Sequence, residues 1–363
     1  MSGERRPGRL GVGVVGAGRV GAVLGSALRA AGHPVVAVSA ISAESRERAE
    51  QLLPGVPVVD VPEVVRRSEL VLLAVPDDAL EGLVTGLADV GAWQMGQIVA
   101  HTSGRYGVGV LAAARSAGVI PLALHPAMTF TGTSLDLARL VGCTFAVTAP
   151  GPVLPIGQAL VVEVGGEPVV VAEEARPLYH AALAHGANHL VVLVAQAAQA
   201  LAAAGVDDPG RVLGPLLSAA LDGSLRAASA GAPASPGGVA SGGPGAITAL
   251  TGPVRRGDAG TVRDHVEVLG ALGAGTGAVD VPLSYRTLAR AATSRALAAG
   301  LLDAGAAQTL LDALTEPPRV AGMPEDRAAL DGVGPPGADG PGDHGAAQDA
   351  PDPDDDRTQE DDA

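Results

Sequence analysis

The sequence predicts an α/β protein in which a doubly wound parallel sheet is followed by an all-helical domain, and three observations carry that expectation. A Val-rich apolar run at residues 10–15 leads straight into Gly16-Ala17-Gly18-Arg19-Val20-Gly21 and then into helix-forming residues from 22 to 31. Short apolar runs bounded by Gly, Pro and Ser alternate with helical segments as far as residue 172, as parallel strands joined by helical crossovers do. From residue 173 the strand pattern stops and long helical stretches, 176–204 and 209–230, take over. The expected boundaries are therefore 8–172 for the first domain, 173–318 for the second and 319–363 for a tail.

The first turn carries the clearest chemistry. Between a strand and a helix, Gly16 permits the tight turn, Gly18 lets a pyrophosphate approach the backbone, and Gly21 lets helix and strand pack closely. The helix N-terminus adds free N–H groups and partial positive charge. Gly16, Ala17, Gly18, Arg19, Val20 and Gly21 are thus the expected dinucleotide cradle, in a domain of the Rossmann type. The second strand, 34–39, ends where a dinucleotide's ribose is read. Sites that prefer NAD place Asp or Glu there, whereas this chain has Ser39, Ala40, Ile41 and Ser42, followed by Arg46 and Arg48. The missing acid and the nearby cations point to NADP, with Ser39, Ser42 and Arg46 around the 2′-phosphate. The alternative is that both arginines are merely solvated on the next helix.

Further strands are expected at 70–75, 97–100, 119–124, 144–148 and 169–172. Ligands of open parallel sheets bind beyond the carboxyl ends of the strands. Val75, Pro76, His101, Ser103 and His125 are accordingly expected at one crevice, beside the nicotinamide or the substrate. For each histidine a structural role, satisfied by backbone, stands as the alternative. The stretch 176–204 is apolar nearly all round, which predicts burial at a domain or subunit interface. His185, Asn188, Gln196 and Gln199 interrupt it at helical spacing, either facing a cleft or bonding to neighbouring helices. Residues 230–245 read as a Gly/Ser/Pro-rich loop. In the run LTGPVRRGD at 250–258, Arg255 and Arg256 either hold an anionic group of a substrate or cap neighbouring carbonyls, and Asp258 is the expected N-cap of the next helix. Helices at 280–301 and 303–315 complete the domain.

Composition narrows the function. A chain of 363 residues with 47% hydrophobic content supports two cores. Much of its net charge of -15 lies in residues 319–363, which hold 13 acidic residues against 3 arginines and few large apolar side chains, so that segment is expected to be disordered. All 24 cationic side chains are arginines and aromatics make up 2%, which does not suit a nucleic-acid surface of basic and stacking residues. Cys143, the single cysteine, rules out a disulfide framework and a thiolate metal cluster and reads as a small buried apolar residue. The longest apolar helix is broken by Gln196 and Gln199, so a soluble cytoplasmic protein without a membrane span or a metal is expected.

Six runs together resemble a known family, the Rossmann-like proteins whose second domain is called domain of unknown function 2520. They are GVVGAGRVG at 13–21, LLAVPD at 72–77, HTSG at 101–104, HPAMTF at 125–130, HAALAHGANHL at 180–190 and LTGPVRRGDAGTV at 250–262. They cover both domains and leave out the tail and the 230–245 loop. The resemblance implies an NADP-binding domain joined to a helical domain like that of 6-phosphogluconate dehydrogenase, with homodimers formed through the helices. It also implies kinship with ketopantoate reductase, pyrroline-5-carboxylate reductase and the β-hydroxyacid dehydrogenases. In the last of these a catalytic Lys lies four residues before an Asn on the first interdomain helix. Asn188 matches that Asn, but Ala184 stands at the Lys position and the chain contains no Lys.

The proton donor is then expected to be His125, His185, His101 or an ordered water, histidine having the pKa suited to neutral pH. The expected function is an NADP-dependent oxidoreductase that moves a hydride between nicotinamide and a small, anionic carbonyl or imine compound. His125 or His185 would supply the proton, Asn188 would orient the substrate, and Arg255 or Arg256 would hold its anion. The alternative is a non-catalytic dinucleotide sensor, which the missing Lys favours.

Overall fold

The computed structural model of the chain describes residues 8–230 and 245–315. The loop expected within 230–245 and the acidic tail lie outside the described residues, apart from Ala230 and Gly245. Strand β1 (Val12–Val15) is followed by α1 (Arg19–Ala30), β2 (Val35–Ser39), α2 (Ala43–Leu52), α3 (Val61–Arg67), β3 (Leu70–Leu73) and α4 (Asp77–Asp89). Then come β4 (Ile98–His101), α5 (Ala112–Ser116), β5 (Ile120–Pro126), α6 (Leu135–Leu140), β6 (Thr144–Thr148), α7 (Leu154–Glu163) and β7 (Glu167–Val170). Every strand expected from the apolar runs is present.

The strands form one sheet in the order β2-β1-β3-β4-β5-β6-β7. The first five are parallel, as expected, but β6 runs antiparallel to β5, and β7 is parallel to β6. After β5 the chain turns back on the same edge, where the Ala127 N–H donates to the Thr144 carbonyl at 2.8 Å. An apolar run carries no mark of its direction, so this reversal is decided by the connection. All four residues of β1, β3 and β4 are buried, which explains their unbroken apolar character. Alternate residues enter opposite cores: Leu70 and Leu72 pack with Leu24 and Leu160, whereas Val71 and Leu73 pack with Leu80, Val84 and Trp93. Because β2 and β3 flank β1 on opposite sides, the sheet's switch point lies at the carboxyl ends of β1 and β3, where such sheets hold ligands.

The described residues divide into two compact units that part between Ala219 and Ala220, later than the loss of strand pattern at residue 172. Helix α8 (Arg176–Ala203) therefore belongs to the unit that carries the sheet, as does the start of α9 (Pro209–Ala230). The expected burial of α8 does not occur within the chain: only Arg176 and Gln196 are buried, and Leu178 and Val191 are 76% and 69% exposed. By length and composition alone the stretch Glu173–Ala203 is apolar enough to cross a membrane. Its first turn, however, is fastened to the sheet. In the second unit, α10 (Gly252–Arg256), α11 (Ala259–Thr276), α12 (Asp280–Ala298) and α13 (Ala304–Thr315) enclose Val254, Val262, Val266, Leu310 and Leu314. Asp258 caps α11 by accepting from the Thr261 N–H at 3.1 Å, as expected. Cys143 is half-buried rather than enclosed, and burial pushes its thiol up.

Candidate functional site

The turn after β1 has the geometry its glycine spacing implies. Gly16 has φ +94°, and a Cβ there would lie 2.6 Å from the Ala74 carbonyl oxygen, so only glycine fits. A Cβ on Gly21 would overlap the Gly16 carbonyl oxygen and lie 2.9 Å from the Ala74 Cβ; its absence lets α1 close onto the ends of β1 and β3. A Cβ on Gly18, by contrast, would meet nothing within 4 Å. Gly18 is the N-cap of the 12-residue α1 and offers no side chain to its N–H groups, which leaves them and the helix's positive end for an anion.

The surroundings of this turn extend the cradle. Buried Ser39 accepts from the Gly16 N–H at 3.1 Å and its carbonyl accepts from the Ala17 N–H at 3.0 Å, so its hydroxyl fastens the turn. Ser42 caps α2 by accepting from the Ser45 N–H at 3.2 Å. The Arg46 Nε donates to the Ala40 carbonyl and an Arg48 guanidinium nitrogen to the Ala17 carbonyl, both at 3.4 Å. Arg19 joins them: a Cβ on Gly132, which has φ +82°, would lie 2.9 Å from the Arg19 Cγ and 3.1 Å from the Arg48 Cδ. Fully buried Asp136 holds this Gly132 loop by accepting from the Thr131 and Gly132 N–H groups at 2.8 and 2.7 Å. Burial raises the pKa of its carboxyl, but those bonds outweigh burial and leave it below the ordinary carboxylate range. At the end of β3, a Val75 methyl lies 3.4 Å from the position of a Gly16 Cβ, and exposed Pro76 follows as the N-cap of α4.

Three strand spacings along the carboxyl edge, about 14 Å from β1, the end of β5 presents His125, next to its terminal Pro126. The His125 Nδ1 lies 3.0 Å from the Tyr179 hydroxyl, and its ring meets that of His180 edge to face at 6.1 Å. Gly104, from the loop after β4, makes room for both, since a Cβ there would lie 2.6 Å from the His180 Cδ2 and 2.9 Å from the His125 Nε2. With Met128 and Thr129 they line an open cavity of about 430 Å³. Helix α8 contributes His180, Leu183, Ala184, Ala187 and Asn188 to its wall, a single helical face at spacings of three and four.

Behind the cavity lies Arg176, fully buried in the first turn of α8. It donates to the Thr148 hydroxyl at 2.8 Å and to the carbonyls of Ser103, Ala123 and Ala146 at 3.0, 2.8 and 3.0 Å. These bonds tie the loop after β4, β5 and β6 to the helix that presents Tyr179 and His180. Burial brings the Arg176 pKa down to about 10, which leaves it charged at neutral pH. Burial first, and then the charges of Arg176 and His180, push the His125 imidazole down to about 4. His125 is therefore neutral at pH 7.

The other sequence candidates separate. His101 is 0% exposed and fully engaged by backbone, with Nε2 2.8 Å from the Gly107 carbonyl and Nδ1 accepting from the Ser103 N–H at 3.2 Å. Buried Ser103 accepts from the Tyr106 N–H at 3.1 Å. Both side chains thus shape the loop after β4 rather than facing the crevice. His185 pairs instead with His189 on an exposed part of α8, Nδ1 to Nδ1 at 2.9 Å, and is not among the cavity residues. Arg255 donates to the Leu301 carbonyl at 2.7 Å, the capping alternative, and Arg256 is exposed. Three residues that the sequence did not single out for the site, Arg176, Tyr179 and His180, have prominent places in it. The available signal was the spacing of eight between His180 and Asn188, which helical geometry permits on one broad face as readily as the spacing of three from His185.

A family model for the Rossmann-like domain matches residues 1–126, and one for the domain of unknown function DUF2520 matches residues 143–292. Among curated proteins none matches the sequence. Among solved structures, a candidate NADP oxidoreductase from Bacteroides fragilis is 20% identical with a TM-score of 0.62, over 78% of this chain and 98% of that one. A protein from Thermotoga maritima is 19% identical with a TM-score of 0.54, over 79% and 98%. A candidate oxidoreductase from Mycobacterium avium is 21% identical with a TM-score of 0.50, over 81% and 99%. At these identities the likeness is one of fold.

Proposed function

Because the chain belongs to the family that joins a Rossmann-like domain to the domain of unknown function DUF2520, we propose that it is an NADP-dependent oxidoreductase acting on a small carbonyl or imine compound. The observation that carries this reading is the uncapped N-terminus of α1 above Gly18, set between Gly16, at a φ of +94° that only glycine adopts easily, and a tightly packed Gly21. These features fit a pyrophosphate, with Ala17, Arg19 and Val20 completing the cradle. Arg46 and Arg48, with no acid at the end of β2, favour a 2′-phosphate on the ribose. A bound dinucleotide supplies the hydride. Val75 and Pro76 would flank its nicotinamide ribose, while His125 and Asn188 would offer polar groups to the substrate from the cavity wall. The similar folds described as candidate oxidoreductases in Bacteroides fragilis and Mycobacterium avium support the reading. The apolar surface of α8 supports a soluble homodimer formed through the helices.

One observation favours a second reading, a dinucleotide sensor: Ala184, and no Lys, stands on the cavity wall. Calorimetry and NADPH oxidation separate these readings. NADPH is expected to bind more tightly than NADH, Arg46→Ala to narrow the difference, and Gly18→Val to abolish binding while the protein melts as before. Equal affinity for NADH would refute the 2′-phosphate assignment, and undiminished binding by Gly18→Val would refute the turn as the site. Tight binding without NADPH oxidation across keto acids and cyclic imines would establish the sensor.

A further inference from the structure

We propose that His125 acts as a neutral hydrogen-bond donor through Nε2, its ring held by the Tyr179 hydroxyl, and that the substrate in this cavity is a carbonyl compound rather than an iminium ion. The inference rests on the oxidoreductase reading and selects between its two substrate classes. Geometry sets the ring. Nδ1 meets the Tyr179 hydroxyl at 3.0 Å, while Nε2, for which no hydrogen-bond partner is found among the described residues, lies where only a glycine at 104 leaves space. A phenol that donates to Nδ1 puts the imidazole's single proton on Nε2.

Charge selects the substrate. Arg176, Tyr179, His180 and buried His101 are the titratable groups near His125 among the described residues, and the cavity wall carries no carboxylate. An iminium would bring a positive charge toward buried Arg176, whose acidic neighbour Glu173 is taken up by the Val108 and Gly109 N–H groups and is not part of this cavity's wall. A carbonyl instead gathers negative charge on oxygen as its carbon accepts hydride, which Nε2–H and Arg176 both favour. The depressed imidazole of His125 reflects the same surroundings, and a neutral histidine in such a setting is an established electrophilic partner for a carbonyl.

The step balances with water as the final proton source. As hydride from the reduced dinucleotide bonds to the carbonyl carbon, the C=O electron pair passes to oxygen, which takes the Nε2 proton. The Nδ1 takes the Tyr179 proton; Nε2 then recovers a proton from water and Nδ1 returns its own to the phenolate, which restores the starting tautomer. The product is an alcohol and the dinucleotide is left oxidised.

Two measurements test the proposal in the full-length protein. Long-range proton–nitrogen NMR identifies which ring nitrogen of His125 carries the proton, using His125→Asn for assignment. The expected result at pH 7 is a neutral ring protonated on Nε2, with the proton distributed over both nitrogens in Tyr179→Phe. A proton on Nδ1, or an imidazolium at pH 7, would overturn it. With NADPH, a panel of aldehydes and ketones is compared with cyclic imines. Carbonyl reduction is expected, flat from pH 6 to 8, with turnover falling about 10²-fold in Tyr179→Phe and nucleotide affinity unchanged. Reduction of imines in preference to carbonyls overturns the proposal and leaves the oxidoreductase reading standing. Oxidation by neither class overturns both, and the NMR result then reports on the ring alone.

Discussion

Replacing Arg176 by Met removes a buried cation and keeps much of its side-chain length, so the loss falls mainly on hydrogen bonding. Four acceptors, the Thr148 hydroxyl and the carbonyls of Ser103, Ala123 and Ala146, lose a donor in a region closed to water. Orphaned buried acceptors cost about 1–3 kcal/mol each, partly offset because a charge is no longer buried. The net is about 3–5 kcal/mol, the usual cost of breaking a buried charged network. At about 2–4 °C per kcal/mol for a unit of this size, the melting temperature should fall by roughly 10 °C. Arg176→Lys keeps the charge but loses the planar fork, so it should melt in between. Differential scanning calorimetry reads the stability, and NMR titration reads His125, whose pKa should rise in Arg176→Met but stay low in Arg176→Lys. An Arg176→Met protein melting within about 2 °C of the parent would refute the view that this side chain fastens α8 to the sheet.

Three other outcomes follow from the structure. Gly21→Ala overlaps the Gly16 carbonyl and should cost about 1–3 kcal/mol, whereas Gly82→Ala, with nothing within 4 Å in α4, should gain up to about 1 kcal/mol; equal urea midpoints would refute the packing argument. His101 and His125 titrate near 4 when folded and near 6.5 when unfolded. The unfolded chain therefore binds more protons between these values, and stability falls as pH drops through that window. His125→Asn should reduce the loss between pH 7 and 5, and an unchanged loss would count against the His125 assignment. Finally, Leu178, Val191 and Leu216 are 76%, 69% and 64% exposed in the single chain, so sedimentation should show a dimer at micromolar concentration; a monomer would refute the proposed helical interface.

The sequence by itself determined much of the first domain. Its strands are short, apolar and bounded by turn residues, and such signals are local. The same holds for the glycine turn, because φ +94° at Gly16 and the close approach at Gly21 are demands of the backbone within one βα unit and the strand beside it. The absence of Lys, and with it of an ammonium donor, is equally plain from composition. The tertiary structure decided which histidine meets the cavity, since a helical face admits His180 or His185 with Asn188 until the packing of α8 selects His180. It enclosed His101 and opened His125, although both end apolar strands, because burial at a strand end depends on the loops that cover it. It reversed β6, whose apolar pattern has no direction, and it gave Arg176 its place among carbonyls drawn from three separate segments. These are relations between residues far apart in the chain, and only folding brings their charges and hydrogen bonds within range.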